Sequence, residues 1–278
     1  MMEQSSDGAA IGLTSLLFVP GSAPARFAKA LASTADIVCI DLEDAVAVED
    51  KDSARSLAIG AIAPRVAIRI NGVLLPEGIA DLAALAMAPV LPALVLMPKV
   101  ESANEVAIVR TALPGVAIVP LIETARGLRL AHDIGAAPGV VAMMFGGGDL
   151  AGELGVALAW EPLLVARGAF ILACAEAGLP AIDVPWIALD DMAGLADEAE
   201  RASAMGFQAK AAIHPHQLDA IHAAMRPSTA LAAEAYAAIA AYEAAGRRAI
   251  RFNGRMLEAP IVRRYARIIS MAKTREQH

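Results

Sequence analysis

Eight short apolar segments, each followed by a helical pattern, constrain the fold of this chain more than any other feature. The segments are rich in aliphatic and β-branched residues, which is typical of buried strands. They are Ser15–Val19, Ile37–Ile40, Val66–Ile70, Ala93–Met97, Val116–Ile122, Val140–Phe145, Ala181–Val184 and Gln208–Ile213. Alternating strands and helices predict a parallel sheet, and eight such units predict a closed barrel. We therefore expect an α/β fold, a (β/α)8 TIM barrel.

The chain changes character after the eighth predicted strand. Leu218–Met225 and Ser228–Ala245 predict helices, Arg251–Pro260 predicts a polar loop, and Ile261–Lys273 predicts a terminal helix. A barrel of about 250 residues with a short extension accounts for the 278 residues of the chain. We assign residues 1–225 to a catalytic barrel and residues 226–278 to a C-terminal lid extension.

Composition and charge exclude several classes of protein. The net charge is −7 and no run of Lys or Arg occurs, which argues against nucleic-acid binding. The charges of Asp197–Arg201 indicate a solvated helix face. Cys39 and Cys174 lie in apolar segments and predict buried thiols rather than a disulfide. The segment MMEQSSDGAAIGLTS lacks the pattern of a secretory signal, and Leu82–Pro98 is too short and too rich in proline for a membrane span. We expect a cytoplasmic protein with no membrane partner.

Two predicted strands end close to an acidic residue. The fifth is followed by Glu123, and the sixth by Gly146, Gly147, Gly148 and Asp149. The carboxyl ends of parallel barrel strands lie on one face, so the two carboxylates are expected to meet there. Two oxygen ligands with open positions suit Mg²⁺, and glycine N–H groups near a helix N-terminus suit an anion. Each acid alone would equally suit a helix cap, but the combination favours a functional site.

More charged residues are expected on the same face. The second predicted strand ends in DLED, residues 41–44, and strand alternation puts Asp41 and Glu43 on one side. Arg69 is an awkward charge in a buried strand unless it meets an anion or a carboxylate. Lys99 follows the fourth strand, where it suits either an anion contact or a structural ion pair with Glu43 or Asp44.

Seven motifs occur along the chain in an order that resembles one enzyme family. They are LLFVPGSAPARFAKA, IVCIDLEDAV, VAIRIN, VLMPKVES, VPLIETARG, MMFGGGDLAGELG and AAIHPHQ. Together they resemble the citrate lyase β-subunit-like proteins of the HpcH/HpaI aldolase superfamily, from Leu16 to Tyr265. The resemblance implies a TIM barrel with a lid, assembled as a homotrimer or hexamer. It also implies Mg²⁺-dependent cleavage or formation of a C–C bond between an acyl-CoA and a 2-oxo acid.

The resemblance implies roles for the acidic residues, the glycines and the arginine. Glu123 and Asp149 would be the metal ligands, and Arg69 would lie near the reacting carbonyl. Two further groups complete the implied reaction centre: Gly146, Gly147, Gly148 and Asp149 as the cradle for the oxo-acid carboxylate, and Asp41, Glu43 and Asp44 as the acidic cluster that organises metal-bound water and Arg69.

The resemblance further implies a coenzyme A site. Arg26 and Lys29 lie where basic residues of the family meet the phosphates of coenzyme A. His214 and Pro215, at the end of the eighth strand, either contact coenzyme A or pack at the barrel mouth.

The lid motif departs from the family pattern. Related lyases carry G-[QK]-M-[VI]-D-x-P, whereas residues 254–260 of this chain are GRMLEAP. Glu258 therefore stands in place of an aspartate that carries a proton in the site of a neighbouring subunit. The extra methylene moves the carboxylate by about one C–C bond, and a misplacement of ~1 Å can cost about 10²-fold in rate.

The sequence leaves three kinds of function open. The first is a Mg²⁺-dependent lyase that cleaves citramalyl-, malyl- or citryl-CoA into acetyl-CoA and a 2-oxo acid. The second is a malyl-CoA-type thioesterase, or a lyase acting on a hydroxy acid without coenzyme A. The third is a non-catalytic subunit that depends on acyl-carrier and transferase partners. The complete set of metal ligands and arginine speaks against the third, and Arg26 and Lys29 argue for a coenzyme A substrate.

Overall fold

The computed structural model describes residues 13–274. The first twelve residues, on which part of the expected absence of a secretory signal rests, lie outside this range. The chain divides into two compact units, one reaching Ile221 and one starting at His222. Within residues 13–274, no helix is both long and apolar enough to cross a membrane.

Eight parallel strands form a closed barrel in sequence order. They are β1 (Ser15–Pro20), β2 (Ile37–Asp41), β3 (Val66–Arg69), β4 (Leu94–Met97), β5 (Ala117–Ile122), β6 (Met143–Phe145), β7 (Ala181–Asp183) and β8 (Ala209–Ala212). The barrel closes because β1 pairs in parallel with both β2 and β8. The predicted (β/α)8 barrel is confirmed.

Helices connect the strands, and most begin or end at residues suited to the position. They are α1 (Phe27–Leu31), α2 (Lys51–Gly60), α3 (Pro76–Ala86), α4 (Ala103–Ala112), α5 (Ala125–Arg129), α6 (Ala131–Gly135), α7 (Gly147–Leu154), α8 (Trp160–Ala177), α9 (Met192–Met205) and α10 (Leu218–Met225), with 3₁₀ turns at Pro24–Arg26, Val48–Asp50 and Pro215–Gln217. The Thr124 side chain accepts a hydrogen bond from the Gly127 N–H at the start of α5. Gly178, with φ of 72°, ends α8 in the left-handed conformation that glycine tolerates.

The barrel interior is filled by apolar side chains from all eight strands or the residues beside them. Large and small residues interdigitate, among them Leu16, Cys39, Ala67, Leu96, Leu121, Met144, Ile182 and Ala211. Each fully buried leucine contributes roughly 1.5–3 kcal/mol to the stability of the barrel. Both cysteines are buried free thiols, as predicted.

Four buried charged side chains lie outside this interior, on α8, β7, α9 and β8. We name them the buried tetrad: Arg167, Asp183, Glu198 and Lys210. Lys210 Nζ donates hydrogen bonds to Asp183 Oδ2 at 2.6 Å and to Glu198 Oε1 at 2.7 Å. Arg167 Nε donates to Asp183 Oδ1 at 3.2 Å, and Arg167 Nη2 lies 3.6 Å from Glu198 Oε2. Two cations therefore neutralise two carboxylates.

The tetrad corrects one interpretation of the sequence. The charges of Asp197–Arg201 were predicted to face solvent, but the Glu198 side chain is only 8% exposed because it turns toward Lys210. Asp197, one residue earlier, is 71% exposed and fits the prediction.

The second unit consists of α11 (Thr229–Ala244), an antiparallel hairpin of β9 (Ile250–Phe252) and β10 (Arg255–Leu257), and α12 (Ala259–Thr274). The prediction of a polar loop at Arg251–Pro260 is therefore wrong for most of that segment. Asn253 and Gly254 both have positive φ, 45° and 78°, as two-residue hairpin turns require. Ala235, Ile268 and Ile269 form a small apolar core in this unit.

Candidate active site

Seven charged side chains gather at the carboxyl ends of the strands from β2 to β6. We name this group the mouth cluster: Asp41, Glu43, Asp44, Arg69, Lys99, Glu123 and Asp149. Asp41 and Arg69 are the last residues of β2 and β3, and Glu123 directly follows β5. Parallel strands bring these ends to one face, so residues far apart in sequence become neighbours.

Arg69 is held at the end of β3 by two acids. Its Nε and Nη2 donate to the two carboxylate oxygens of Asp41 at 2.6 and 2.7 Å, and Nη1 lies 2.9 Å from Glu43 Oε2. Asp41 also accepts hydrogen bonds from the backbone N–H groups of Glu43 and Ala45. These bonds hold the acidic loop, residues 42–45, next to Arg69. Burial lowers the pKa of Arg69, but the hydrogen bonds and charge of Asp41 outweigh it and raise the pKa above its usual value. The expectation that this buried charge meets a carboxylate is confirmed.

Lys99 contacts four carboxylates. Its ammonium donates a hydrogen bond to Glu43 and lies 3.3 Å from both Asp44 Oδ2 and Asp149 Oδ2. Its backbone N–H donates to Glu123 Oε2 at 2.8 Å. Lys99 adopts a φ of 50°, a left-handed conformation that is uncommon for lysine and persists where the surroundings enforce it. The ion pair with Glu43 and Asp44 is thus present, and Lys99 links it to the two predicted metal ligands.

Glu123 is buried, with 4% of its surface exposed. Burial raises the pKa of Glu123 from 4.5 to about 7, against the lowering effect of the Arg69 and Lys99 charges. A Cβ atom on Gly146 would lie 1.9 Å from Glu123 Cγ, so only glycine leaves room for this carboxylate. Gly146 also donates its backbone N–H to the carbonyl of Ile122 at 2.9 Å, which ties the ends of β5 and β6 together.

The mouth cluster carries more negative than positive charge, because five carboxylates face two cations. Glu43 Oε2 is buried and accepts no hydrogen bond, although it lies 2.9 Å from Arg69 Nη1. These hard oxygen donors fit a divalent cation such as Mg²⁺. Within residues 13–274, no three Asp, Glu, His or Cys side chains form a group able to hold a metal alone. A cation held by Glu123 and Asp149 would therefore take its other ligands from substrate and water.

The glycine loop leads directly into α7. Gly146 precedes the helix, Gly147 and Gly148 are its first residues, and Asp149 lies in its first turn. The first N–H groups of a helix have no acceptor within it, and they favour an anion. The N–H groups of Gly147, Gly148 and Asp149 lie at this helix start, whereas the Gly146 N–H already bonds the Ile122 carbonyl. The carboxylate cradle stays a prediction.

The four residues predicted to meet coenzyme A lie beside β1 and β8, which are hydrogen-bonded neighbours. Arg26 ends a 3₁₀ turn, Lys29 lies in α1, and His214 precedes the turn that begins at Pro215. Burial lowers the pKa of His214, and the positive charges of His216, Lys29 and Arg26 lower it further. Arg26 and Lys29 are exposed, so an anionic group can approach them.

A cavity of about 470 Å³ opens beside the mouth cluster. Glu43, Asp44 and Lys99 line it, together with Val73 and Leu75 from the loop after β3. Its volume is within the range of small-molecule sites.

Comparison with known protein families gives a match that agrees with this geometry. The model of the HpcH/HpaI aldolase/citrate lyase family matches residues 14–215, most of the chain. The chain belongs to the HpcH/HpaI aldolase/citrate lyase family.

Members of the HpcH/HpaI family with different activities resemble this chain. A (3S)-malyl-CoA thioesterase of Cereibacter sphaeroides is 36% identical, over 84% of this chain and 84% of the relative. The mitochondrial citramalyl-CoA lyase of Homo sapiens is 29% identical, over 92% of this chain and 84% of the relative. The crystal structure of CitE from Mycobacterium tuberculosis, in complex with magnesium, acetoacetate and coenzyme A, superposes with a TM-score of 0.82. It is 34% identical and covers 96% of this chain and 99% of CitE.

Glu258, predicted as the lid carboxylate, lies in the second unit. It is exposed, between β10 and α12, and its carbonyl accepts the first hydrogen bond of that helix from the Val262 N–H. The side chain is therefore available to solvent at the start of a helix.

Sequence reasoning missed Lys51, which supports the acidic loop. Lys51 Nζ donates to the carbonyls of Leu42 and Glu43 and to Asn71 Oδ1, each at 2.7 Å. One signal was present, because a lysine at the first position of α2 is unfavourable toward the helix dipole. In this HpcH/HpaI member, three hydrogen bonds offset that cost.

Proposed function

We propose that this protein is a Mg²⁺-dependent carbon–carbon lyase that reversibly cleaves a 3-hydroxy-3-carboxyacyl-CoA into acetyl-CoA and a 2-oxo acid. The observation that carries the proposal is the excess negative charge of the mouth cluster, in which Lys99 contacts both Glu123 and Asp149 and Asp41 fixes Arg69. The likeness to a citramalyl-CoA lyase, and to CitE in complex with magnesium and coenzyme A, supports it.

Glu123 and Asp149 would hold the metal ion. When bound, Mg²⁺ supplies Lewis-acid polarisation at the substrate's hydroxyl oxygen. Arg69 adds positive charge where this oxygen develops charge in the transition state, and Asp41 keeps its guanidinium in place. The N–H groups at the start of α7 hold the carboxylate of the departing oxo acid.

As the C–C bond breaks, the C3 hydroxyl gives its proton to water ordered by the acidic cluster, and its oxygen becomes the carbonyl of the oxo acid. The electron pair of the broken bond stays on the acetyl-CoA fragment, as a thioester enolate that needs a proton. We assign this proton transfer to Glu258 of a neighbouring subunit, because it stands where the family lyases carry a lid aspartate. This role requires at least a dimer, and we expect a trimer or hexamer. Light scattering on the purified protein measures the assembly.

Arg26, Lys29 and His214 would receive the coenzyme A moiety. Arg26 and Lys29 offer exposed positive charge for the phosphates, and Pro215 would shape the contact at the end of β8. The carboxylates of the mouth cluster would then be left to the acyl portion of the substrate.

A second candidate is a malyl-CoA thioesterase. The malyl-CoA thioesterase relative is 36% identical to this chain, and Glu258 replaces the lid aspartate expected of a lyase. In that reaction water attacks the thioester carbonyl and releases the thiol of coenzyme A, without breaking a C–C bond.

One assay distinguishes the two activities. The purified protein is incubated with Mg²⁺ and one of three thioesters: citramalyl-CoA, malyl-CoA or citryl-CoA. The formation of 2-oxo acid and of free coenzyme A thiol is measured in each reaction. A lyase yields pyruvate, glyoxylate or oxaloacetate together with intact acetyl-CoA, whereas a thioesterase yields thiol without oxo acid. We expect the lyase products.

Variants test the assigned roles in the same assay. We expect Glu123→Gln, or excess chelator, to lower kcat by ~10³-fold or more, because the charge stabilisation by the metal is worth several kcal/mol. Glu258→Asp should keep or raise the lyase rate, whereas Glu258→Ala should lose it. Full activity of Glu123→Gln would remove the metal from the mechanism, and an unchanged Glu258→Ala rate would remove the lid carboxylate.

A further inference from the structure

The cavity beside the mouth cluster has a feature that the proposed reaction does not use. It lies between the loops after β2, β3 and β4, and apolar side chains form much of its wall: Val48, Val73, Leu74, Leu75 and Pro98. Leu74 and Leu75 are 71% and 55% exposed, which leaves apolar surface without cover. Glu43, Asp44 and Lys99 of the mouth cluster line the cavity, and the Lys99 ammonium lies 3.3 Å from Asp149 Oδ2, so the cavity borders the mouth cluster.

The side-chain donors of Lys51, Lys99 and Asn71, which line the cavity, are already bonded to the protein. The ammonium of Lys51 donates to two carbonyls and to Asn71, and the ammonium of Lys99 pairs with Glu43, Asp44 and Asp149. The Asn71 side-chain amide donates to Asp81 Oδ2 at 2.7 Å.

The charge of the lining is negative on balance. Two lysines line the cavity together with four acids: Glu43, Asp44, Glu77 and Glu105. A carboxylate placed there would meet like charges and would have to displace an existing ion pair, which is costly in a partly desolvated site. An alkyl group would instead cover the exposed leucine surface, which is favourable.

We propose that this cavity receives the substituent at C3 of the acyl-CoA, and that it selects an uncharged alkyl group over a carboxylate-bearing one. This inference rests on the proposed lyase function. It assigns the protein to substrates of the citramalyl type, with a methyl or longer alkyl group at C3, and against citryl-CoA, with a carboxymethyl group there. One methylene in an apolar pocket changes the rate about 10–200-fold, so charge has to be tested with C3 groups of equal size.

The test compares two substrates of equal shape and different charge. Citryl-CoA carries carboxymethyl at C3, and its homologue with an isobutyl group at C3 is an uncharged isostere. We expect kcat/KM for the isobutyl homologue to exceed that for citryl-CoA at least tenfold. Equal or better turnover of citryl-CoA would overturn the inference.

Substitutions in the cavity wall test whether the C3 substituent binds in this cavity. Leu75→Lys, and separately Leu74→Lys, add an ammonium group to the cavity wall and make the charge of the lining less negative. Each should raise the ratio of citryl-CoA to isobutyl-homologue turnover at least tenfold. Leu172→Lys, at a leucine 72% exposed on α8, is the matched control and should leave the ratio unchanged. An unchanged ratio in both wall variants would overturn the placement of the C3 group in this cavity.

Failure of the proposed function has a different signature. If the protein cleaves none of these thioesters, nor malyl-CoA, the lyase function falls and this inference falls with it. If malyl-CoA is cleaved and citryl-CoA is preferred to its isobutyl isostere, the lyase function stands and the inference alone falls.

Discussion

The buried tetrad and the mouth cluster are both networks of charged side chains in the barrel unit, but they differ in charge balance and exposure. In the tetrad, two cations pair with two carboxylates, and all four side chains are at most 8% exposed. In the mouth cluster, five carboxylates share two cations, and Lys99 and Asp149 are 39% and 42% exposed.

The difference separates charges that hold the fold from charges that await a ligand. The tetrad balances its own charges, although Arg167 Nη1 is buried without a hydrogen-bond acceptor. It leaves no surplus negative charge for a further cation. An open network with surplus negative charge is destabilised by its own repulsion, and a bound cation would relieve it. Substitutions in the first should therefore reduce stability, and substitutions in the second should reduce activity.

The largest expected effect is the loss of one cation from the tetrad. Lys210→Met leaves Asp183 and Glu198 buried with a single positive charge, because only Arg167 remains. We expect the free energy of unfolding to fall by about 3–5 kcal/mol, as when one partner is removed from a buried ion pair. Urea denaturation, followed by the fluorescence of Trp160 and Trp186, measures this because both tryptophans lie in the barrel unit.

An exposed ion pair provides the control for this variant. Arg201 is 39% exposed and pairs with Glu161 at 2.8 Å. Arg201→Met should lower the free energy of unfolding by about 0–1 kcal/mol. A loss for Lys210→Met no greater than this would mean that the tetrad stabilises the fold no more than a surface pair.

A smaller effect is expected from crowding the mouth cluster. In Gly146→Ala the new methyl group meets Glu123, so the carboxylate must shift. We expect kcat/KM to fall about 10²-fold, as for a ~1 Å misplacement of a catalytic group. Gly152→Ala, in the helix that follows Gly146 and with nothing near its added Cβ atom, is the control and should retain the rate. Equal rates for both variants would show that the position of Glu123 is not critical.

The smallest expected effect is a pH dependence of metal binding. The pKa of Glu123 is raised from 4.5 to about 7, so a proton competes with the metal below pH 7. Calorimetry should show the Mg²⁺ affinity falling up to about tenfold per pH unit below 7, or about 1.4 kcal/mol per unit. In excess chelator, with no metal bound, the free energy of unfolding depends on pH in the opposite direction from the Mg²⁺ affinity. The stability that neutral Glu123 provides is fully present below pH 4.5 and is lost as the pH rises through 7. A metal affinity independent of pH between 5 and 7 would contradict this.

Much of the mouth cluster could be predicted because its signals are local. A charged residue at the end of an apolar run marks a strand end, and the barrel brings all such ends together. Asp41, Arg69 and Glu123 were found in this way. Lys51 and the conformation of Lys99 were not, because each depends on which carbonyl or carboxylate the fold brings within reach.

Two predictions from the sequence, a solvent-facing Glu198 and a loop at Arg251–Pro260, were wrong for different physical reasons. The inward turn of Glu198 depends on the rotation of α9 about its axis, and therefore on Lys210 in the following strand, which no local pattern reveals. The hairpin in the second unit did have a local signal, because Asn253-Gly254 is the preferred dipeptide of a two-residue turn. Its strands are only three residues each, so the alternation around the turn was too short to stand out.

The hydrogen bond from the Gly146 N–H to the Ile122 carbonyl has a consequence for evolution. It extends the ladder between β5 and β6 up to the residue that precedes Glu123 and to the start of the glycine loop. This hydrogen bond holds Glu123 and the start of the glycine loop at the spacing of neighbouring strands, about 4.8 Å, and Asp149 follows in the first turn of α7. The apolar cavity wall is carried by the loops after β2, β3 and β4 instead. Under the proposed placement of the C3 substituent, substitutions of Val73, Leu74 or Leu75 would change which acyl group is accepted while the link between β5 and β6 stays intact.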